Sequence, residues 1–593
     1  MIGKSNNYAY GCVNYVTLNI KNSILFLLLV SSSPFFAQKI GLSVTFNDTL
    51  LRPTKIINYS KNIDLTSLKN ELEEVIGQLH SQAYLIATID SIVINNEQYN
   101  AFIQLGKRYK WTYLTTSGID EEVLSKIGFR DKVFNQRPFN HKQLYSFYEK
   151  TIVHYENHGY PFASLKIDSI KINHTNIAAN IRLAKNKLYK IDSVKITGTA
   201  SISDHYIQNY IRIKDGDYYN EQLIKNISNR LKEIPFVEEK TPYKIVFTEN
   251  ESKIILNLKR KQASRFNGVL GIQPDNQTGD IRLTGDIKLN LLNAFKKGEE
   301  IDFNWRSIRK NTQDLKTGVM LPFLFNTPFG IDYDFKLFKK DTTFIDVYNK
   351  IGLRYSLKGN SYASVFFQNK SSSLLSTKGF ESLTVLPNYA DVTTQLYGMS
   401  LYFSNLDYRL NPRKGIEVDT EGSIGTKQLK KNPAINEGLY EGLKLNSNLY
   451  NFLLEANWYI PLKKRSVLKV GSKNGYTFND NLFENELMRI GGLLTFRGFD
   501  EESINTSIYT IGTLEYRYLL EQNSYLYLFF DGAYYENQQV NSYVSDRPFG
   551  FGTGMSFETR AGIFSISYAL GKQFDNPILF KNAKVHFGFV NYF

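Results

Sequence analysis

The sequence predicts a tandem of small α+β modules followed by an all-β antiparallel barrel that crosses a membrane, with about sixteen strands in its wall. Three observations carry this prediction. A weak repeat with a period of about 75 to 80 residues runs through positions 38–262. Near Ser264 helical spacing gives way to strict alternation that persists through the rest of the chain. Tyr and Phe number 40 and 41 against 3 Trp, at a mean hydropathy of −0.31. Aromatic excess at ordinary hydropathy suits a membrane barrel, and no stretch after the first forty residues approaches the ~18 apolar residues of a membrane helix.

The chain opens with a basic flank at Lys21 and an apolar run from Ile24 to Val30, then Pro34, Phe35, Phe36 and the small residue Ala37. This is the shape of a signal peptide, too short to span a bilayer, and cleavage after Ala37 would start the mature chain at Gln38. The long region before the apolar run leaves the true start of the leader open. The sole cysteine, Cys12, falls in the leader with no apolar run before it, so it does not fit a lipid-attachment site. The exported chain would then have no disulfide, thiol nucleophile or cysteine metal site, as suits an oxidising compartment.

Lys and Arg number 71 against 57 Asp and Glu, a net charge of +14 spread without a dense block. That pattern implies diffuse attraction to anionic lipid headgroups and not to nucleic acid.

Within the repeat, Ala83-Tyr84-Leu85-Ile86-Ala87 matches Gly159-Tyr160-Pro161-Phe162-Ala163. Each is followed by an Asp-Ser-Ile step, at Asp90 to Ile92 and Asp168 to Ile170, and then by a second apolar-alternating run. A helical pattern precedes each strand pair. In the first unit it is Leu68, Leu72, Val75, Ile76 and Leu79, with Asp64 or Thr66 as N-cap. In the second it is Leu144, Phe147, Thr151, Ile152 and Tyr155 behind Asn140. In the third, Leu223, Ile224, Ile227, Leu231 and Ile234 follow Asn220, and Pro235 closes the helix. Each unit reads as strand, helix, strand, strand, the first being the least complete. The units are 38–110, 111–188 and 189–262, and the barrel is 263–593.

In the barrel region Ile281, Leu283, Ile287, Leu289 and Leu291 alternate with Arg282, Thr284, Asp286, Lys288 and Asn290. A barrel turns the polar set to its lumen and the apolar set to lipid. A spanning strand with its turn uses roughly twenty residues, so 263–593 supplies about sixteen. An even count returns both ends to the side that holds the modules.

Gly491-Gly492-Leu493-Leu494-Thr495-Phe496-Arg497-Gly498-Phe499 resembles the Arg-Gly-Phe signature of the outer-membrane assembly and secretion barrels of the BamA and TamA type, the bacterial surface antigen family. In that family the signature lies in the sixth extracellular loop, folded back into the lumen. Five strands follow it here: Ile508 to Leu520, Ser524 to Tyr535, Phe549 to Phe557, Gly562 to Leu570 and Lys584 to Phe593. The resemblance implies that Phe496, Arg497, Gly498 and Phe499 form a latch with acidic residues of the inner wall. Alternation puts Glu515 opposite Tyr516 and Tyr518, and Asp531 with Phe529 against Leu528 and Phe530. An unpaired buried Arg would be prohibitive, so a carboxylate is required. The family often has Gly two residues after the Asp, whereas here that position is Ala533 and the glycine is Gly532.

Val585, Phe587 and Phe589 alternate towards Phe593, similar to the C-terminal aromatic signal of outer-membrane barrels, with Asn591 breaking the face. The N-terminal units resemble POTRA (polypeptide-transport-associated) domains through the Gly-Tyr-Pro-Phe-Ala element and the turn Lys214 to Tyr218.

No active site is found. His154 and His158 lie four apart on a helix without a third ligand, which is a solvated face and not a metal site. Gly550-Phe551-Gly552-Thr553-Gly554 echoes a nucleotide loop in letters only, because strands surround it. Asn411 to Gly415 reads as a periplasmic turn. No cofactor is implied.

The resemblance therefore implies an outer-membrane protein whose partners are unfolded outer-membrane or secreted polypeptides and the bilayer, with room for a periplasmic accessory or inner-membrane partner protein. Its modules would take client segments by β-augmentation, and the first strand, Phe266 to Gln273, would meet the last, Lys584 to Phe593, at a weak seam. The alternative inside the family is a two-partner secretion transporter for one exoprotein. Such transporters usually carry two modules and an N-terminal plug helix, whereas Ile40 to Phe46 alternates like a strand. A passive porin has no use for the repeats.

Overall fold

The computed structural model describes residues 40–46, 60–63, 65–95, 98–249, 251–274, 281–307, 312–408, 410–559 and 562–592. The leader with Cys12, the cleavage position Ala37, the cap candidate Asp64 and the terminal Phe593 lie outside them. Among the described residues no helix is long and apolar enough to cross a membrane.

Residues up to Leu188 form one compact unit and those from Tyr189 another. In the first unit, strand Ile40–Phe46 lies between Ser60–Ile63 and Gln98–Gln104, with Thr88–Asn95 at the far edge. The helix Leu65–Ser81 buries Leu68, Leu72, Val75 and Leu79 against this sheet. Thr66 sits inside that helix and is therefore not its cap. Its sheet has four strands, where those of the other two modules have three among the described residues.

The second module packs helix His141–Glu156 on a sheet ordered Lys110–Ser117, Asn176–Ala184, Ser164–Asn173. The Asn140 side chain caps that helix by accepting from Lys142 N and Gln143 N at 3.0 and 3.2 Å. Both Asp-Ser-Ile steps fall on edge strands at register shifts, between Ile89 and Ser91 and between Asp168 and Lys171. The repeat is thus a recurring bulge on the edge strand of each sheet.

Sequence reasoning missed a second helix in two modules, Glu121–Ile127 and Asp204–Ile211. Their signals were present: Gly128 adopts φ 79° at the end of the first, and Ser203 caps the second through Tyr206 N at 3.2 Å. The single helix expected over 221–234 is split into Glu221–Lys225 and Ile227–Glu233. The Asn226 side chain donates to Gln222 O at 2.9 Å, while its backbone N–H takes the tighter bond to Leu223 O at 3.2 Å. Asn220 caps the first piece as expected, accepting from Leu223 N at 3.0 Å.

Within the second unit the third module docks on one end of the barrel, called here the near end. Ser203 N donates to Lys296 O at 2.9 Å, and the Tyr206 ring meets Phe323 edge-on at 5.4 Å. Asn209 donates to Asn326 Oδ1 at 2.6 Å and Tyr210 to Asn360 Oδ1 at 2.7 Å. The Tyr210 hydroxyl also lies 3.3 Å from Glu233 Oε2, and burial raises the pKa of both groups, favouring their neutral forms. These contacts reach the first three near-end connections, at 293–299, 322–328 and 357–361.

The barrel is closed, antiparallel and sequential from Arg265–Pro274 to Lys584–Tyr592. Two of its segments, Ser542–Asp546 and Phe549–Thr559, both pair with Tyr525–Gln539, so they make one interrupted pass of the wall. Counted that way the described residues cross the wall sixteen times. Outward positions such as Tyr397, Met399 and Leu528 are exposed, while their sequence neighbours Leu396 and Phe529 are buried inside. Asn411 to Gly415 lies in the near-end connection 405–414 and the start of the strand after it.

Candidate functional site: the sixth loop and the seam

The sixth far-end connection, residues 479–507, runs between wall strands Ser466–Phe478 and Ile508–Leu519. It holds a small hairpin, Met488–Ile490 with Ile504–Thr506, whose tip carries the Arg-Gly-Phe motif. Alternation on the two wall strands brings Glu515 and Asp531 onto the inner face, 5% and 1% exposed.

Arg497 meets both. Its Nε and Nη2 donate to the two oxygens of Asp531, each at 2.7 Å, and Nη1 donates to Glu515 Oε2. The Arg497 backbone N–H adds a bond to Asp531 at 3.3 Å, and the guanidinium lies 3.7 Å over the Phe529 ring. This forked pairing needs a planar guanidinium, which Lys lacks. Glu515 is shared with Arg517 at 2.7 Å, and Arg517 in turn bonds Asn411 in a near-end connection at 3.1 Å. Phe496 and Phe499 stack on each other at 4.5 Å inside an apolar cluster with Ile511 and Tyr535.

Gly498 sits between them at φ +96°, a left-handed conformation that side chains resist. The wall is shaped to receive it: a Cβ on Gly550 would stand 2.0 Å from the Arg497 carbonyl oxygen. Within the glycine-rich stretch that echoes a nucleotide loop, Gly550 is the bare spot on which the loop tip rests.

A second anchor was not foreseen. Lys427, 1% exposed on wall strand Gly415–Lys430, pairs with Glu486 of the loop at 2.6 Å. Its ammonium also donates to Asn479 Oδ1 at 3.3 Å and to the Asn481 carbonyl, and lies 5.4 Å over Phe483. Glu484 receives Lys340 at 3.1 Å and Tyr389 at 2.9 Å, and Glu502 receives Arg306 at 2.8 Å. The loop is thus tied to both halves of the wall, its tip by Arg497 and its base by Lys427. A lone lysine on the inner face of an alternating strand was the available signal.

At the ring closure, among the described residues, the first and last wall strands share two registered pairs, Arg265–Tyr592 and Phe266–Asn591. Asn267 adds a side-chain bond to the Phe589 carbonyl. The ladder beside them, from Arg265–Pro274 to Ile281–Leu292, has ten pairs. Val585 and Phe587 point outward, both 64% exposed, and the Phe589 ring packs tilted against Phe564 at 4.4 Å. His154 and His158 stack at 4.0 Å with no metal cluster among the described residues.

A model of the Omp85 superfamily domain matches residues 293–593, and a POTRA model, described as a surface antigen variable number repeat, matches 189–261. CdiB from Acinetobacter baumannii is similar in fold, at 14% identity over 90% of this chain and 100% of that one, with a TM-score of 0.52. CdiB from Escherichia coli gives 13% identity over 89% and 98%, with a TM-score of 0.54. BamA from Haemophilus ducreyi lacking POTRA domains 1–3 covers 82% of this chain and 100% of its own at 14% identity, with a TM-score of 0.44. No curated protein sequence matches. The chain belongs to the Omp85 superfamily of bacterial outer-membrane β-barrels with periplasmic POTRA domains.

Proposed function

We propose that the protein handles other polypeptides: its POTRA modules capture unfolded clients, and its barrel inserts or translocates them by parting the seam. The observation that carries this reading is the seam itself, two registered pairs among the described residues where every other pass of the wall shares seven or more with its neighbour. Strands parted there expose unpaired N–H and C=O groups in a medium that cannot hydrate them, so an incoming strand that pairs with them is strongly favoured. The edge strands Thr88–Asn95, Ser164–Asn173 and Val237–Phe247 offer the modules' own backbone groups to extended segments.

Arg497 with Glu515 and Asp531 acts as a latch that keeps the sixth loop against the wall, and Val585, Phe587, Phe589 and Phe593 form the recognition face of the closing strand. The role is structural, with no bond chemistry and no cofactor. Reconstitution tests it. The purified chain in liposomes should accelerate several unrelated unfolded outer-membrane proteins towards protease-protected, heat-modifiable barrels. Ion conductance without acceleration of any client would instead support a dedicated exporter or a simple channel.

A further inference from the structure

The membrane-facing wall is not uniformly convex. A depression of about 440 Å³ opens on its outer surface, walled by Phe329, Leu353, Tyr355, Met399 and Leu401 and floored by Ala363 and Gly422. All five wall side chains are exposed to the surroundings. The depression lies towards the near end, since Ala363 is the second residue of a strand that starts there and Phe329 and Tyr355 meet edge-on at 5.2 Å beside the near-end turns.

Gly422 makes this hollow, and the fold does not require a glycine there. Three residues on in the same strand, a Cβ on Gly425 would stand 1.9 Å from the Gln395 carbonyl oxygen, so close backbone approach excludes a side chain. At Gly422 a Cβ would meet nothing nearer than the Phe452 ring at 4.0 Å, and its φ is not in the left-handed range. A strand glycine with room for a side chain gives up packing and entropy. The surface it leaves is a furrow between large apolar side chains.

The near-end connections between the strands that line the furrow carry cations. The connection 405–414 leads directly into the strand that carries Thr420 and Gly422, and it ends in Arg413 and Lys414, both exposed. Neither side chain is in an ion pair among the described residues; the carboxylate of Asp407 accepts only their backbone N–H groups, at 2.9 and 3.0 Å. Lys358 is exposed on the connection at the other flank and lies near Glu233. Apolar depth with positive charge at the level of the headgroups is the chemistry of an anionic phospholipid.

We propose that this furrow is a binding site for one acyl chain of an anionic phospholipid in the periplasmic leaflet, its phosphate held by Arg413 and Lys414. The site fixes a lipid to the wall away from the seam.

Native mass spectrometry of the full chain in detergent, titrated with palmitoyl-oleoyl phosphatidylglycerol or phosphatidylethanolamine, tests the assignment. One phosphatidylglycerol should be retained with a preference of roughly tenfold over phosphatidylethanolamine. Gly422→Phe should abolish retention, and the pair Arg413→Gln, Lys414→Gln should remove the headgroup preference while the barrel stays heat-modifiable. If Gly422→Phe does not yield a folded barrel, Ala363→Leu fills the same floor. Retention unchanged by the filling variant, or equal retention of the two lipids by the unaltered chain, overturns the proposal.

Discussion

Halfway round the ring from the seam, strands Asp391–Ser404 and Gly415–Lys430 share fourteen registered pairs. At the seam there are two. The ladders that flank the closure have ten and seven pairs, and those in the middle of the ring run to thirteen and fourteen. In hydrocarbon each unmade backbone bond is costly, so the ring has one preferred place to part and a stiff wall opposite it. The sixth loop follows the same division, its tip fixed beside the closing strands and its base fixed to the stiff wall.

Locking the weak side should have the largest effect. The only native cysteine is Cys12, so Phe266→Cys with Asn591→Cys creates one defined cross-link across the seam. Oxidation should cut client insertion about tenfold or more, with recovery on reduction. The same cross-link at Leu401 and Thr420, registered partners on the stiff side, should leave the rate unchanged. Equal inhibition by both pairs would break the comparison.

Next come the two anchors. Arg497→Ala strands Asp531 without its cation and leaves Glu515 to Arg517 alone, a loss of about 3–5 kcal/mol for a broken buried pair. It should lower client insertion and the temperature of the heat-modifiable shift together, and Arg497→Lys should not restore the fork. Unchanged complementation by Arg497→Ala would remove the latch from the mechanism. Lys427→Met should cost a similar amount, with the Lys427→Met, Glu486→Leu double variant recovering most of it, because the penalty is the orphaned carboxylate.

Gly550→Ala is the smallest perturbation. It pushes one methyl group against the Arg497 carbonyl, at about 1–3 kcal/mol, and should lower the heat-modifiable transition slightly. No shift at all would mean that the loop tip does not rest on that strand.

Much of this was legible in the chain because it is local. Alternation fixes which side of the wall Glu515, Asp531 and Phe529 occupy, and the helix caps Asn140 and Asn220 follow from residue type and spacing. The base anchor was hidden because Lys427 and Glu486 are 59 residues apart and meet only after the loop folds back. The short helices Glu121–Ile127 and Asp204–Ile211 escaped because one or two turns display too little periodicity to stand out from the strands around them. The purpose of Gly550 was illegible for another reason: a glycine that receives a neighbour's backbone leaves no pattern in its own strand.

The docking of the third module makes the two lips of the seam mechanically unequal. Its contacts at Lys296, Asn326 and Asn360 all brace turns in the first half of the ring. The first wall strand follows that module after a few residues, so its lip is clamped to a large rigid body. The closing strand is carried by its seven-pair ladder to Gly562–Lys572. In the proposed opening, the wall should swing like a door on its C-terminal leaf while the jamb stays with the module.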